Sequence, residues 1–275
     1  MTRVAVFGAA GRMGAAACAA VAATDDLELV AAVDPAAAGQ HLGDVVAGAG
    51  TRLVGRPSLI EVAAHPEDLS AAGVEVAVDF TVARAARENL AWCAGHGVHA
   101  VSGTTGLGED DCAELARAFS GKAHCVLVPN FSIGAVLMMR CAEVCAPYFD
   151  SVEVIELHHD RKRDAPSGTS LETARRIESA RAQRSAAALP ADPTERTSLE
   201  HARGGVTAGG VRIHSVRLPG LVAHQEVLFG SLGETLTIRH DSTDRASFMP
   251  GVLLAVRRVG SLPGLTTGLE ALLGL

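Results

Sequence analysis

The chain has 275 residues, 48% hydrophobic and 20% charged, with a formal net charge of −7. That is enough to bury a core in one large or two ordinary domains, at ~100–200 residues per domain. The acidic balance and an aromatic content of 3% argue against a nucleic-acid partner, which needs a basic face and stacking rings, and the absence of a run of ~18 apolar residues argues against a membrane-spanning helix.

The N-terminal "MTRVAVFGAA" enters a strand pattern at once, with no basic-then-apolar leader, so no targeting segment is expected. Predicted strands follow at 3–8, 27–34, 74–81, 99–106 and 124–130. They are rich in Val and Ala with little polar alternation, as fits strands buried on both faces of a parallel sheet. Predicted helices at 12–23, 83–95 and 109–120 separate them, and repeated strand–helix units imply a doubly wound sheet. The six cysteines are scattered, with no CxxC pair, and read as reduced core thiols of a cytosolic protein; Cys141 and Cys145 fall on one helix face.

"VAVFGAAGRMG" places Gly8, Gly11 and Gly14 between the first strand and the first helix. The first glycine permits a tight turn, the second lets a pyrophosphate approach the backbone, and the third lets helix and strand pack closely. The helix start then aims its N–H groups at the phosphates. Asp34 ends the second strand, 20 residues after Gly14, where an acid can accept from the ribose hydroxyls of NAD. A plain tight turn with a helix-capping Asp would use the same residues. Asp34 opposes a 2′-phosphate and favours NADH, while Arg12 in the loop offsets this. "DFTVA" and "SGTTGLG" end later strands, so Phe80, Thr81, Gly103, Thr104 and Thr105 are expected to line the crevice at the strand ends. "PNFSIG" (129–134) reads as a hinge leading out of this domain.

The second half changes character. An apolar helix is predicted over 133–149, a strand over 151–157, and an amphipathic helix over 171–183 with Leu171, Ala174 and Ile177 inward. Residues 184–210 read as a long surface loop. Three strands follow, the last two antiparallel about a turn at Ser231 to Gly233, and the tail returns to a helical pattern. The organisation expected is a nucleotide-binding domain over 1–130, a second domain over 131–244 that is α+β with an open, mainly antiparallel sheet, and a tail over 245–275.

Between the strand at 151–157 and the helix at 171–183 lies "ELHHDRKRDAPSGTS". The strand delivers His158 and His159, whose side chains point to opposite faces if extended geometry persists. Ser167 is a candidate N-cap, and Gly168 and Thr169 would offer their N–H groups to an anion such as a substrate carboxylate. The chain holds 22 arginines but only two lysines, Lys122 and Lys162. Arginine does not release its proton in proteins, whereas lysine can, so Lys162 between two arginines suggests proton transfer, a task histidine also performs. A solvated basic loop is the alternative. A metal at the two histidines is not expected, for want of a third ligand.

"VFGAAGRMG", "DFT", "GTTG", "PNFSIG" and "ELHHDRKRDAPSGTS", in this order and spacing, resemble bacterial dihydrodipicolinate reductases over nearly the whole chain, the actinobacterial branch in particular. The resemblance implies a Rossmann-type first domain onto which the tail packs. It also implies a cytoplasmic homotetramer built through the open sheets of the second domain, and reduction of a cyclic dicarboxylic imine by NADH or NADPH in lysine and diaminopimelate synthesis. It implies that His158 and Lys162 handle the proton and that His159, Gly168 and Thr169 bind a substrate carboxylate. Cofactor contacts implied are Gly8, Ala9, Ala10, Gly11, Arg12, Met13, Asp34, Gly103, Thr104, Thr105, Pro129, Asn130, Phe131 and Ser132. Pro35 stands where some members carry an arginine that helps bind a 2′-phosphate. Another two-domain dehydrogenase would share the glycine turn without the histidine–lysine block, and a nucleotide-sensing regulator would have lost that block.

Overall fold

The computed structural model describes residues 1–69, 73–121 and 123–275. In chain order the elements are β1 (Thr2–Phe7), α1 (Arg12–Ala22), β2 (Leu27–Val33), α2 (Leu42–Gly48), β3 (Val76–Asp79), α3 (Ala83–His96), β4 (His99–Ser102), α4 (Glu109–Ala118) and β5 (Cys125–Leu127). There follow α5 (Ile133–Cys145), β6 (Ser151–His158), α6 (Gly168–Gln183), β7 (Gly205–Val206), β8 (Arg212–Arg217), β9 (Ala223–Ser231) and β10 (Glu234–Ser242). The chain closes with α7 (Met249–Arg258), β11 (Leu265–Thr267) and α8 (Glu270–Leu273). It divides into two compact units, Met1–Ile133 with Phe248–Leu275, and Gly134–Ser247.

The first unit is built on a six-stranded sheet of order β11-β5-β4-β3-β1-β2, parallel throughout. Val4 to Phe7 of β1 and all of β3 and β5 are buried, which is why these strands read as unbroken apolar runs. The order reverses at β1, between β2 and β3, so the carboxyl ends of β1 and β3 form the switch point where ligands bind in open sheets of this kind. α1 packs by its small residues Ala15, Ala17, Cys18 and Val21. α3 ends at Gly97, whose φ of 72° is the left-handed cap a glycine supplies. α4 carries Glu109, Asp110 and Asp111 in its first turn, where negative charge suits the helix dipole, and Asp111 accepts from the Gly108 N–H.

The strands are shorter at their carboxyl ends than the sequence pattern predicts: β3 stops at Asp79 and β4 at Ser102. The polar ends of these runs leave the ladder to make side-chain hydrogen bonds. Two elements carry too little periodicity to be foreseen, α2 and the three-residue β11, which pairs in parallel with β5.

The second unit holds a five-stranded sheet of order β10-β9-β6-β8-β7. All its pairings are antiparallel except β6 with β8. β9 and β10 form the expected hairpin: Ser231 pairs with Glu234, and Gly233 turns the corner at φ 87°. Val152, Val154, Val227, Phe229 and Ile213 meet Ala174 and Ile177 of α6 in one core. α6 starts at Gly168, three residues before the predicted start, and Leu171 is exposed rather than inward. Its inward stripe begins instead with Ser170 and Thr173, which bond Gln225 of β9. The 184–210 segment is loop apart from β7, and it is pinned to the sheet by Arg203 on Glu153 and by Arg212 on Asp192.

The cysteines are all free, but only Cys18, Cys93 and Cys125 are core thiols; Cys112 and Cys145 are half-buried and Cys141 is exposed, because α5 turns that face outward. Among the described residues no helix is long and apolar enough to cross a membrane.

Candidate active site

The glycine turn of the first unit is built by close approach. Gly8 has φ 78°, and a Cβ there would lie 2.7 Å from the Phe80 carbonyl oxygen. A Cβ on Gly14 would lie 2.0 Å from the Gly8 oxygen, so neither position admits a side chain. Gly11 caps α1 with extended backbone and no side-chain bond, leaving the helix start open for an anion. Arg12 is exposed, Met13 half-buried and Ala9 buried beneath the turn.

Asp34 is half-buried at the end of β2. Its carboxylate accepts from the Ala10 N–H at 2.9 Å and from the Ala36 N–H at 3.1 Å. It therefore does two things at once: it caps the turn after β2 and tethers the glycine loop. A carboxylate has about four lone-pair sites, so acceptor capacity for ribose hydroxyls remains.

The loops after β3 and β4 are tied together by a residue the sequence reading passed over. Asp79 is 1% exposed. It accepts from the Thr81 N–H and hydroxyl, from the Asn89 amide at 2.7 Å and from the Thr104 hydroxyl at 2.8 Å. Thr81 and Thr104 thus spend their hydroxyl hydrogens on the scaffold. Beside them Phe80 and Phe131 meet edge to face at 5.5 Å, and a Cβ on Gly103 would strike both rings. Thr105 and Pro129 are exposed; Asn130 is half-buried and accepts from the N–H of buried Ser132. The predicted crevice residues follow the carboxyl ends of their strands, and the Gly11 cap leaves the start of α1 suited to an anion such as a dinucleotide pyrophosphate.

In the second unit, β6 ends at His158. Its Nδ1 lies 2.5 Å from Oε2 of Glu156, two residues earlier on the same face. Glu156 is fully buried and forked by Arg217 of β8, whose two terminal nitrogens each donate at 2.8 Å. Burial pushes the Glu156 carboxyl up, but hydrogen bonds from His158, Arg217 and Ser215 outweigh it and hold the pKa at about 2. Arg217 also donates to the Asp164 carbonyl at 2.7 Å. The Asp164 carboxylate, in turn, accepts from Lys162 Nζ at 2.9 and 2.8 Å, and that ion pair keeps the Asp164 carboxyl below its usual range.

The helix start after the loop is anchored as the sequence suggested. The Ser167 hydroxyl accepts from the Ser170 N–H at 3.2 Å. Behind it, Ser167, Ser170, Gln225 and Thr173 form a buried hydrogen-bonded row. Gly168 and Thr169 begin the helix, so their amides point outward along its axis. His159 Nδ1 and Arg217 Nε are buried and have no hydrogen-bond partner among the described residues. Buried polar atoms in native proteins are nearly always satisfied, so these two suit a site that receives a polar ligand. His158 and Lys162 are thus linked through Glu156, Arg217 and Asp164, and the Lys162 N–H donates to the His159 carbonyl, while Gly168 and Thr169 open α6 a few residues further along the chain. Glu156 and Arg217 are the members that sequence reasoning missed, although Glu156 shares its strand face with Val152 and Val154, a charge among apolar positions that is itself a signal.

Residues 2–131 match the family described as dihydrodipicolinate reductase, N-terminus, and residues 134–273 match dihydrodipicolinate reductase, C-terminus. The chain is 50% identical to the 4-hydroxy-tetrahydrodipicolinate reductase of Nocardia farcinica, over 99% of each chain. It is 48% identical to that of Cutibacterium acnes over 100% of each. Among solved structures it is similar to a dipicolinate-bound dihydrodipicolinate reductase from Paenisporosarcina, with 38% identity, a TM-score of 0.84, and coverage of 98% of this chain and 99% of that one.

Proposed function

The chain belongs to the dihydrodipicolinate reductase family, and on that premise we propose that it reduces 4-hydroxy-tetrahydrodipicolinate to tetrahydrodipicolinate in lysine and diaminopimelate synthesis. The observation that carries this reading is the second unit's pairing of His158 with Lys162, linked through Glu156, Arg217 and Asp164 in the loop that leads into α6. A general dehydrogenase has no need of such a block.

Bound at the glycine turn, a reduced nicotinamide supplies the hydride. Gly8 to Met13 hold its pyrophosphate and Asp34 its ribose. Phe80, Thr81, Gly103, Thr104, Thr105 and Pro129 to Ser132 line the remainder of that crevice. With no cation directly after Asp34, where Pro35 and Ala36 stand, the acid favours NADH over NADPH.

Loss of the 4-hydroxyl as water, its oxygen leaving with a ring proton, gives a conjugated cyclic imine, and hydride addition to that imine builds negative charge on the ring. Fixed cations and N–H dipoles stabilise that charge, and a positioned acid quenches it with one proton, completing the addition of two hydrogens. His158 Nε2 and Lys162 Nζ are the two proton-bearing atoms placed for this. His159, Gly168 and Thr169 hold a substrate carboxylate. The Lys162–Asp164 pair is partly exposed, and such pairs are worth about 0–1 kcal/mol, so a substrate carboxylate displaces Asp164 from the ammonium at little cost. The need to neutralise a dicarboxylate explains a cationic cluster in an acidic chain.

The working form proposed is a cytoplasmic homotetramer assembled through the open sheets, which light scattering on the purified protein tests. The activity is tested by following NADH and NADPH loss with substrate generated by a synthase; absence of turnover with both defeats the reading.

A further inference from the structure

Both proton-handling residues hang from one buried ion pair. Glu156 is fully buried, and its two oxygens are shared between the Arg217 fork at 2.8 Å and His158 Nδ1 at 2.5 Å. Arg217 reaches on to the Asp164 carbonyl at 2.7 Å, in the loop whose Asp164 carboxylate grips Lys162 at 2.8 Å. From this connectivity we infer that Glu156 and Arg217 are positioning residues for the reduction: Glu156 fixes His158 in the tautomer with hydrogen on Nδ1, and Arg217 sets the loop that carries Lys162. The inference rests on the proposed activity for its kinetic part only.

The reasoning is one of donor and acceptor roles. An ionised carboxylate only accepts, so the ring nitrogen facing it must donate. With hydrogen on Nδ1, His158 presents Nε2, either as a lone pair or, once protonated, as the acid. Arg217 cancels the charge of Glu156, so the buried pair is neutral overall and the extra charge of an imidazolium resides on His158 alone. The charged and titratable groups about His158 are Glu156 and His159 on its own segment, Arg217 beside it on β8, and the Lys162–Asp164 pair of the loop. β9 brings Ala223 opposite, and the first turn of α6 carries no acid. Removing the carboxylate charge while keeping the shape therefore acts on His158 in a defined way. A Gln at 156 turns its oxygen to Arg217 and its amide N–H to Nδ1, so Nδ1 becomes an acceptor and the neutral tautomer reverses.

Two experiments on the full chain decide the matter. Nitrogen-15 imidazole spectra, with His158 assigned by difference from His158→Asn, should show the Nδ1–H tautomer in the wild type; the Nε2–H tautomer overturns the inference. This readout needs no turnover, so it stands even if the proposed reaction is wrong and even if Glu156→Gln fails to fold. In steady-state assays Glu156→Gln should lower kcat by about 10²-fold, the lower end of what a positioned acid supplies. It should also leave the Kd for NADH unchanged, while its His158 spectrum turns to the Nε2–H tautomer. Arg217→Lys loses the fork and the bond to the Asp164 carbonyl and should also lower kcat. A lowered kcat in Glu156→Gln with the Nδ1–H tautomer of His158 retained would show that the pair only holds the fold together.

Discussion

Truncating Asp79 should damage the first unit out of proportion to one side chain. The carboxylate is buried and takes hydrogen bonds from four donor groups: the Thr81 amide and hydroxyl, the Asn89 amide and the Thr104 hydroxyl. Asp79→Ala strands all of them. Hydrogen bonds to charged groups are worth about 1.5–3 kcal/mol each, so a simple sum gives roughly 6–12 kcal/mol. That is a ceiling, because the Thr81 and Thr104 loops reach the surface and can rehydrate. Breaking a buried charged contact typically costs about 3–5 kcal/mol, which at about 2–4 °C per kcal/mol lowers Tm by roughly 6–20 °C. The freed loops should also weaken NADH binding. Asp79→Asn keeps an acceptor for both threonines, and Asn89 can turn its own amide to accept from the new one, so this variant should lose only about 1–2 kcal/mol. Thermal unfolding followed by circular dichroism, with an NADH titration, checks both variants. If Asp79→Ala melts and binds NADH like the wild type, the hub carries no such weight.

Lys162→Ala and His158→Ala should each lower kcat by about 10²-fold or more, the scale of general acid catalysis; unchanged turnover in both removes their assigned roles. Asp34→Ala should weaken NADH binding more than NADPH binding, and equal loss by calorimetry contradicts the ribose role. His99 and His124 stack at 5.2 Å, and the Nδ1 of His99 accepts from the His124 N–H. Burial and the neighbouring His124 hold His99 below its ordinary value of 6.5. The unfolded chain therefore takes up this proton first, so stability is complete above pH ~6.5 and is lost as pH falls below it. Tm of the wild type should drop across that window more steeply than that of His99→Gln, and parallel curves contradict this.

Signals confined to a short window were legible in the sequence. The glycine turn, the Ser167 cap and the histidine–lysine block each declare themselves within a few residues, because local geometry demands particular residues at fixed spacing. The parallel sheet was legible in the unbroken apolar runs and the β9–β10 hairpin in its turn at Ser231 to Gly233, whereas the parallel pairing of β6 with β8 left no local mark. What lay beyond reach depends on partners far apart in the chain: Asp79 with Thr104, 25 residues away, and Glu156 with Arg217, 61 residues away. Asp79 looked like the polar end of a strand, and Glu156 like one more strand residue, until pairing placed them on buried faces. Leu171 faces outward despite its hydrophobicity because the buried polar row of Ser170, Thr173 and Gln225 occupies the inward face at that end of the helix.

The most direct test of the reductase reading is a single assay: purified protein, substrate generated in place by a synthase, and the absorbance of NADH or NADPH followed over time. Oxidation of reduced nicotinamide in proportion to substrate supplied, with a higher kcat/KM for NADH, is the expected result. No oxidation above background with either cofactor would contradict the reductase assignment, and a clear preference for NADPH would contradict the role given to Asp34.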